Sequence, residues 1–226
     1  MSSKKTTTPV EEFEVPAWSQ EKVVVGTDEV GRGALAGPVV AAAVVLPPHA
    51  RIEGLRDSKK LTPKRRAAIC EEIRSVAVAV HVAVRSAPVI DATNILRASL
   101  DAMVECVELA GGDAENQGLV VASALVDGNQ RLPTCRWEQI TVVGGDDKSH
   151  TIAAASVVAK VWRDTHMVEL GARHPAYLFE KHKGYGSRAH YEAIGKHGPV
   201  EGVHRTSFRI RGGWTRQPSP LTGRCH

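Results

Sequence analysis

Aromatic side chains are scarce in this chain: four Trp, three Tyr and three Phe among 226 residues. That scarcity argues against a reader of single strands, which needs a platform of stacking rings. Cysteine is just as rare, and Cys70, Cys106, Cys135 and Cys225 stand far apart with no C-x-x-C pair. A disulfide-stapled fold and a zinc knuckle are therefore not expected, and reduced thiols in the cytoplasm are. Long apolar runs are missing. Stretches such as residues 39–46 are far too short to span a bilayer. No charged start followed by an apolar segment is present at the N-terminus, so no secretion signal is expected. Neither sign of charge dominates: the net charge is +4 and the isoelectric point is near 8.9, which permits nucleic-acid binding without demanding it. No internal repeat is visible.

The apolar share of 42% and charged share of 24% are those of a globular protein with a real core. Residues 23–27 and 39–46 read as buried strands, and 76–84, 119–126 and 140–143 as further strands. Thr62-Pro63 is a cap and first-turn pair for a helix running to about Ser75. A longer helix is expected over 91–109, stopped by Gly111-Gly112. Ile152, Ala155, Ala159 and Trp162 recur at helical spacing, and residues 188–196 suggest another helix ending near Gly198. The class is α/β. Its sheet is expected to be mixed, because the first two strands are joined too briefly for a crossover helix.

Several strand ends release a carboxylate. Asp28 and Glu29 close the first strand, Asp127 ends VVASALVDGN, and Asp146 ends ITVVGGD. Asp followed by Gly is also ordinary turn chemistry. If these ends converge where the ligand crevice of a sheet lies, mutual repulsion forces the cluster to take up protons or bind cations. An all-oxygen set selects Mg²⁺ or Mn²⁺. Two such ions can activate an attacking water and stabilise a leaving oxygen.

The same stretch raises a rival. Gly31-Arg32-Gly33-Ala34-Leu35-Ala36 fits the G-x-G-x-x-A pattern of a dinucleotide fold. Such a turn must open a helix. Here Gly37-Pro38 follows, then a Val-rich run closed by Pro47-Pro48, and Glu53 lies in a loop. The cofactor reading is rejected.

GTDEVGRGALAGPVVAAAVVLP, DSKKLTPKRR (57–66), LVDGN (125–129), GGDDKSHTIAAASVVAKVWRD (144–164), HKGYGS (182–187) and HRTSF (204–208) come in that order. Together they resemble the ribonuclease HII family, over about residues 23–208. The resemblance implies a ribonuclease H-like mixed sheet flanked by helices over 21–174, with a small helical substrate-binding part over 175–210. The polar stretches 1–20 and 211–226 read as mobile tails, although Phe13 and Trp18 offer local docking groups. The resemblance further implies an endoribonuclease that hydrolyses RNA paired with DNA and cuts at ribonucleotides embedded in duplex DNA, leaving 5′-phosphate and 3′-hydroxyl ends. Asp28, Glu29, Asp127 and Asp146 are the implied catalytic and metal-binding carboxylates, for Mg²⁺ or Mn²⁺ and two ions with substrate bound. Gly31, Arg32 and Gly33 are implied to read the ribose 2′-hydroxyl, and Tyr185 to pack on the sugar beside the cut. Relatives commonly carry K-G-D where this chain has Gly144-Gly145-Asp146-Asp147. The missing lysine removes a charge, and Asp147 stays open as an alternative to Asp146; Lys148 is a candidate replacement for that charge.

Among the basic residues, Lys59 and Lys60 are the expected phosphate contacts. Lys64, Arg65 and Arg66 read as a solvated helix face. Lys181, Lys183 and Arg188 flank Tyr185 and are candidates for gripping the opposite strand. Lys160 and Asp164, four apart, read as a structural ion pair. The histidines between His166 and His204 show no metal-motif spacing and receive no catalytic role. A monomer acting on an RNA–DNA hybrid or a ribonucleotide-containing duplex, away from membranes, is expected; no protein partner such as a replication clamp is assigned. A DNA nuclease or recombinase with the same acids, and a non-catalytic duplex-binding module, are the competing readings.

Overall fold

The computed structural model describes residues 12–55, 58 and 61–208. The elements in chain order are α1 (Val15–Trp18), β1 (Val23–Val30), β2 (Val39–Val45), α2 (Pro63–Val76), β3 (Ala79–Arg85), α3 (Ala87–Ala92), α4 (Ile95–Asn116), β4 (Val121–Asp127), β5 (Glu138–Val142), α5 (His150–Arg173), α6 (Phe179–His182) and α7 (Arg188–His197). The five strands form one sheet in the order β3-β2-β1-β4-β5. β1–β2 and β2–β3 are antiparallel, whereas β1–β4 and β4–β5 are parallel. This is the mixed pairing that the short β1–β2 connection requires.

Alternation along β2 builds both layers of the core. Ala41, Ala43 and Val45 face Ala102, Met103, Cys106 and Ala110 of α4. Val40, Ala42 and Val44 face Ile69 and Ile73 of α2 and Ala155, Val158 and Ala159 of α5. Both sheet faces are covered, so the strand reads as a continuous apolar run. Small side chains let α5 lie close: a Cβ on Gly26 of β1 would stand 2.5 Å from the Thr151 carbonyl carbon. A third cluster, with Phe179, Tyr177, Met167 and Ile194, packs the C-terminal part onto the end of α5.

Local signals set most helix starts. Thr62 accepts the Arg65 N–H at 3.3 Å, Ser149 caps α5 through Ile152, and Ser187 caps α7 through His190. Three sequence expectations need correction. Residues 76–78 belong to the end of α2 and its exit, so the third strand begins at Ala79. The helix over 91–109 is two helices, α3 and α4, and Gly111-Gly112 does not stop the second. Gly111 is packed under an indole, where a Cβ would stand 2.2 Å from Trp137 Cη2, and the helix runs on to Asn116. The mobile tail over 1–20 is corrected for its last part: residues 15–18 are helical, and Glu14, Ala17 and Trp18 are buried. Residues 1–11 and 209–226, including the expected C-terminal tail, lie outside the described residues. No helix among the described residues is long and apolar enough to cross a membrane.

Candidate active site

β1 runs three residues further than its apolar stretch, carrying Asp28 and Glu29 inside the strand opposite Ala42 and Ala41 of β2. Parallel β4 pairs Thr27 with Val126, so its last residue, Asp127, ends beside Asp28. After β5, Gly144 takes φ of 65° and turns the chain into a 3₁₀ turn, Gly145–Asp147. That turn directs Asp146 inward, where it is buried, while Asp147 is exposed. The turn is tied to the sheet by the Gly145 N–H, which donates to Asp127 Oδ1 at 2.7 Å.

Electrostatics registers the convergence. Burial raises the Asp28 carboxyl well above the usual range, and the charges of Asp127, Glu29 and Asp146 push it up further; a hydrogen bond from Ser156 opposes them. Burial also raises Glu29, opposed by Arg32, whose Nη1 stands 3.1 Å from Glu29 Oε1. Among the described residues no three His, Cys, Asp or Glu side chains stand close enough to hold an ion by themselves. The donor chemistry nevertheless fits a hard divalent cation: buried, mutually repelling carboxylates that leave coordination positions to water and phosphate.

A cleft of about 330 Å³ opens on Asp28 and Glu29, lined also by Ser58, Ser156, Lys160 and Tyr185. A smaller hollow of about 70 Å³ on the other side joins Glu29 and Asp127 to Arg32, Asn129 and Gln130. Tyr185 is half-buried and shares the first cleft with the acids. Gly31 has φ of 96°, with Arg163 Nε 2.3 Å from where its Cβ would lie; Gly33 is exposed, with open space at the same position. Lys59 and Lys60 lie outside the described residues. Lys160 pairs with Asp164 at 2.7 Å, the expected ion pair, and also lines the cleft. Lys148 donates to the Val143 carbonyl at 2.7 Å.

The sequence reading missed what holds the glycine turn. Arg163 and Arg205 are both buried. Arg163 donates to the carbonyls of Pro38, Ala36 and Lys183 at 2.9, 3.2 and 2.9 Å. Arg205 donates to Gly37 and Arg32 carbonyls at 3.0 and 2.9 Å. Burial, with Arg163 close by, lowers Arg205 to about 9. Arg163 also lies over the Tyr185 ring, 5.3 Å from its centre. Arg66, read as solvated, is buried instead, bonding Ser58 and Leu61 carbonyls and Asp164. All three arginines fell inside quoted blocks, DSKKLTPKRR, GGDDKSHTIAAASVVAKVWRD and HRTSF, but an arginine in such a block carries no signal of burial.

Behind Tyr185, three histidine rings cluster, the first two stacked and the third tilted. The His182 and His190 rings are 4.4 Å apart and those of His190 and His204 5.2 Å. Their partners fix the tautomers. His204 Nδ1 accepts the Val200 N–H, so its Nε2–H donates to His190 Nε2 at 3.1 Å. The Nδ1–H of His190 is then left to donate to the Tyr185 carbonyl at 3.0 Å. Burial lowers both His190 and His204 to about 4, keeping them neutral.

Comparison with known proteins agrees with this architecture. A family model described as Ribonuclease HII matches residues 25–211. Ribonuclease HII of Caldicellulosiruptor bescii is 46% identical over 187 residues, covering 83% of this chain and 86% of that one. Ribonuclease HII of Chlorobaculum parvum is 46% identical over 204 residues, covering 88% and 96%. Among solved structures, the RNase HII in a PCNA complex from Archaeoglobus fulgidus superposes with a TM-score of 0.67 at 24% identity, over 85% of this chain and 98% of that one. A Bst-RNase HIII solved with Mn²⁺ gives 0.66 at 18%, over 85% and 69%. By its fold, its ordered motifs and these relatives, the chain belongs to the ribonuclease HII family.

Proposed function

We propose that this chain is an endoribonuclease that hydrolyses the RNA strand of RNA–DNA hybrids and cuts at ribonucleotides embedded in duplex DNA, giving 5′-phosphate and 3′-hydroxyl ends. The observation that supports the reading is that Asp28, Glu29, Asp127 and Asp146 lie near one end of the sheet, where the charge of each of the other three raises Asp28. These side chains would hold Mg²⁺ or Mn²⁺, two ions with substrate bound. Bound there, the ions supply activation of the attacking water and stabilisation of the leaving oxygen.

The chain's own residues do the rest. The exposed Gly33 and the turn before it let main-chain groups approach a ribose, whose 2′-hydroxyl marks RNA. Arg163 and Arg205 occupy the carbonyls of that turn and hold it in place. Tyr185, which lines the same cleft as Asp28, would pack against the sugar beside the cut. Lys59 and Lys60 are proposed phosphate contacts, and residues 175–210 the substrate-binding part.

A DNA duplex carrying one ribonucleotide, assayed beside all-DNA and all-RNA duplexes with Mg²⁺ or Mn²⁺, tests the reading. Cutting beside the ribonucleotide, abolished by chelator, is expected. Equal cutting of plain DNA identifies a DNA nuclease instead, and binding without any cleavage identifies a duplex-binding module.

A further inference from the structure

The segment before β1 reaches the acid cluster through a short line of hydrogen bonds. Glu14 is completely buried. Its Oε1 accepts the Ser149 hydroxyl at 2.6 Å and the Thr151 N–H at 2.9 Å. Ser149 is the cap of α5: its Oγ accepts the Ile152 N–H at 3.1 Å, and its own N–H donates to the Gly145 carbonyl at 2.7 Å. The Gly145 N–H then donates to Asp127 Oδ1, and the next residue is Asp146. One carboxylate thus closes a path to the turn that carries Asp146 and anchors Asp127.

The physical effect is on orientation. With its proton given to Glu14, the Ser149 hydroxyl keeps lone pairs for the Ile152 amide, so its rotor has one good position. Charge-assisted bonds to an anion at a helix N-terminus are among the stronger ones available to a side chain. Two amides of the first turn of α5 are satisfied together, which fixes where the helix begins and where the 3₁₀ turn ends. Glu14 precedes the stretch that the family model matches.

We infer that Glu14 is a positioning residue that orients the Gly145–Asp147 turn so that Asp127 and Asp146 face the same cation. This rests on the proposed metal-binding role of those acids. Outer-shell partners of this kind typically change metal affinity by about 10–100-fold.

Titration calorimetry of Mn²⁺ into the full chain, without substrate, tests it with Glu14→Ala, Glu14→Gln, Ser149→Ala and Asp28→Asn, each checked for folding by circular dichroism. Glu14→Ala is expected to weaken Mn²⁺ binding by about tenfold or more. Glu14→Gln, whose amide oxygen still accepts from Ser149, is expected to recover most of the affinity. Should Glu14→Ala fail to fold, Ser149→Ala removes the same bond and is expected to weaken binding likewise. A purely structural Glu14 would lower the melting temperature and leave Mn²⁺ affinity unchanged; affinity within about twofold of the parent in folded Glu14→Ala or Ser149→Ala overturns the inference alone. A parent chain that binds no Mn²⁺, or binds it equally well as Asp28→Asn, overturns the metal reading and this inference with it.

Discussion

Two regions of this molecule bury like charges, and they do so in opposite ways. At the end of β1 and β4, the charges of Asp127 and Glu29 raise Asp28, and that of Asp127 also raises Glu29, which Arg32 opposes. Around the glycine turn, Arg163 and Arg205 are more deeply buried than Glu29 and Asp127, and five main-chain carbonyls accept from them. Carbonyl dipoles answer most of the guanidinium donors, and Arg205 Nη2 is left buried without a hydrogen-bond partner. The acids accept a bond from Ser156 at Asp28, the Gly145 N–H at Asp127 and Arg32 at Glu29, and the repulsion that remains is relieved by protons or by a cation. The repulsion left among the acids marks the proposed site of chemistry; the carbonyl-bonded arginines mark a brace.

Removing one acid should break this contrast most sharply. Asp28→Asn is expected to lower cleavage by more than about a hundredfold, beyond the usual cost of an outer-shell change. It should also raise the melting temperature, because a buried repelling charge is gone. A fall in melting temperature would mean that the acids are already satisfied. On the other side, Arg163→Ala strands three carbonyls in the core and should cost at least about 3 kcal/mol in urea unfolding. An unchanged midpoint would show that the guanidinium is not the brace described here.

The glycine turn separates bracing from reading. Gly31→Ala puts a methyl against Arg163 at a positive φ, and a loss of about 1–3 kcal/mol is expected. Gly33→Ala meets open space, so stability should hold while affinity for a ribonucleotide-containing duplex falls. Equal loss of stability in both variants would erase the distinction.

The smallest effect is in the pH dependence of stability, where two groups pull opposite ways. His190 and His204 are lowered to about 4 from an ordinary value of 6.5, so the unfolded chain binds more protons between those limits and their stabilisation is lost as pH falls through that window. Asp28 and Glu29 are raised, so the folded chain binds more protons above their ordinary values and gains stability on acidification. Melting temperatures between pH 6.5 and 4 should therefore drop more steeply in Asp28→Asn than in the parent, and less steeply in His190→Phe. Parallel curves would refute the opposition.

Much of this was legible in the chain. Period-two patterns placed the strands to within a few residues and period-3.6 patterns found the main helices without all of their bounds, Thr62 and Gly198 marked helix ends, and the acids could be seen at strand ends. Most of the misses share one cause. Gly111 reads as a stop because the indole that needs the space, Trp137, lies on another segment. Arg66 read as a solvated face although two of its partners, Ser58 and Leu61, are near in sequence. Arg163 and Arg205 drew no reading because most of the carbonyls they bond lie more than a hundred residues away. The three histidines show no motif spacing because their clustering is made by the packing of α6, α7 and the segment after it.

The sequence by itself determined the class of fold, the mixed sheet, the ends of most helices and the candidate acids, because these depend on backbone sterics, side-chain period and capping within a few residues. Only the tertiary structure decided that Asp146 rather than Asp147 turns inward, that the glycine turn is held by two buried arginines, and that Glu14 is part of the core beside the acids. Those outcomes depend on burial and on Coulomb interactions, which follow distance in space and are blind to distance along the chain.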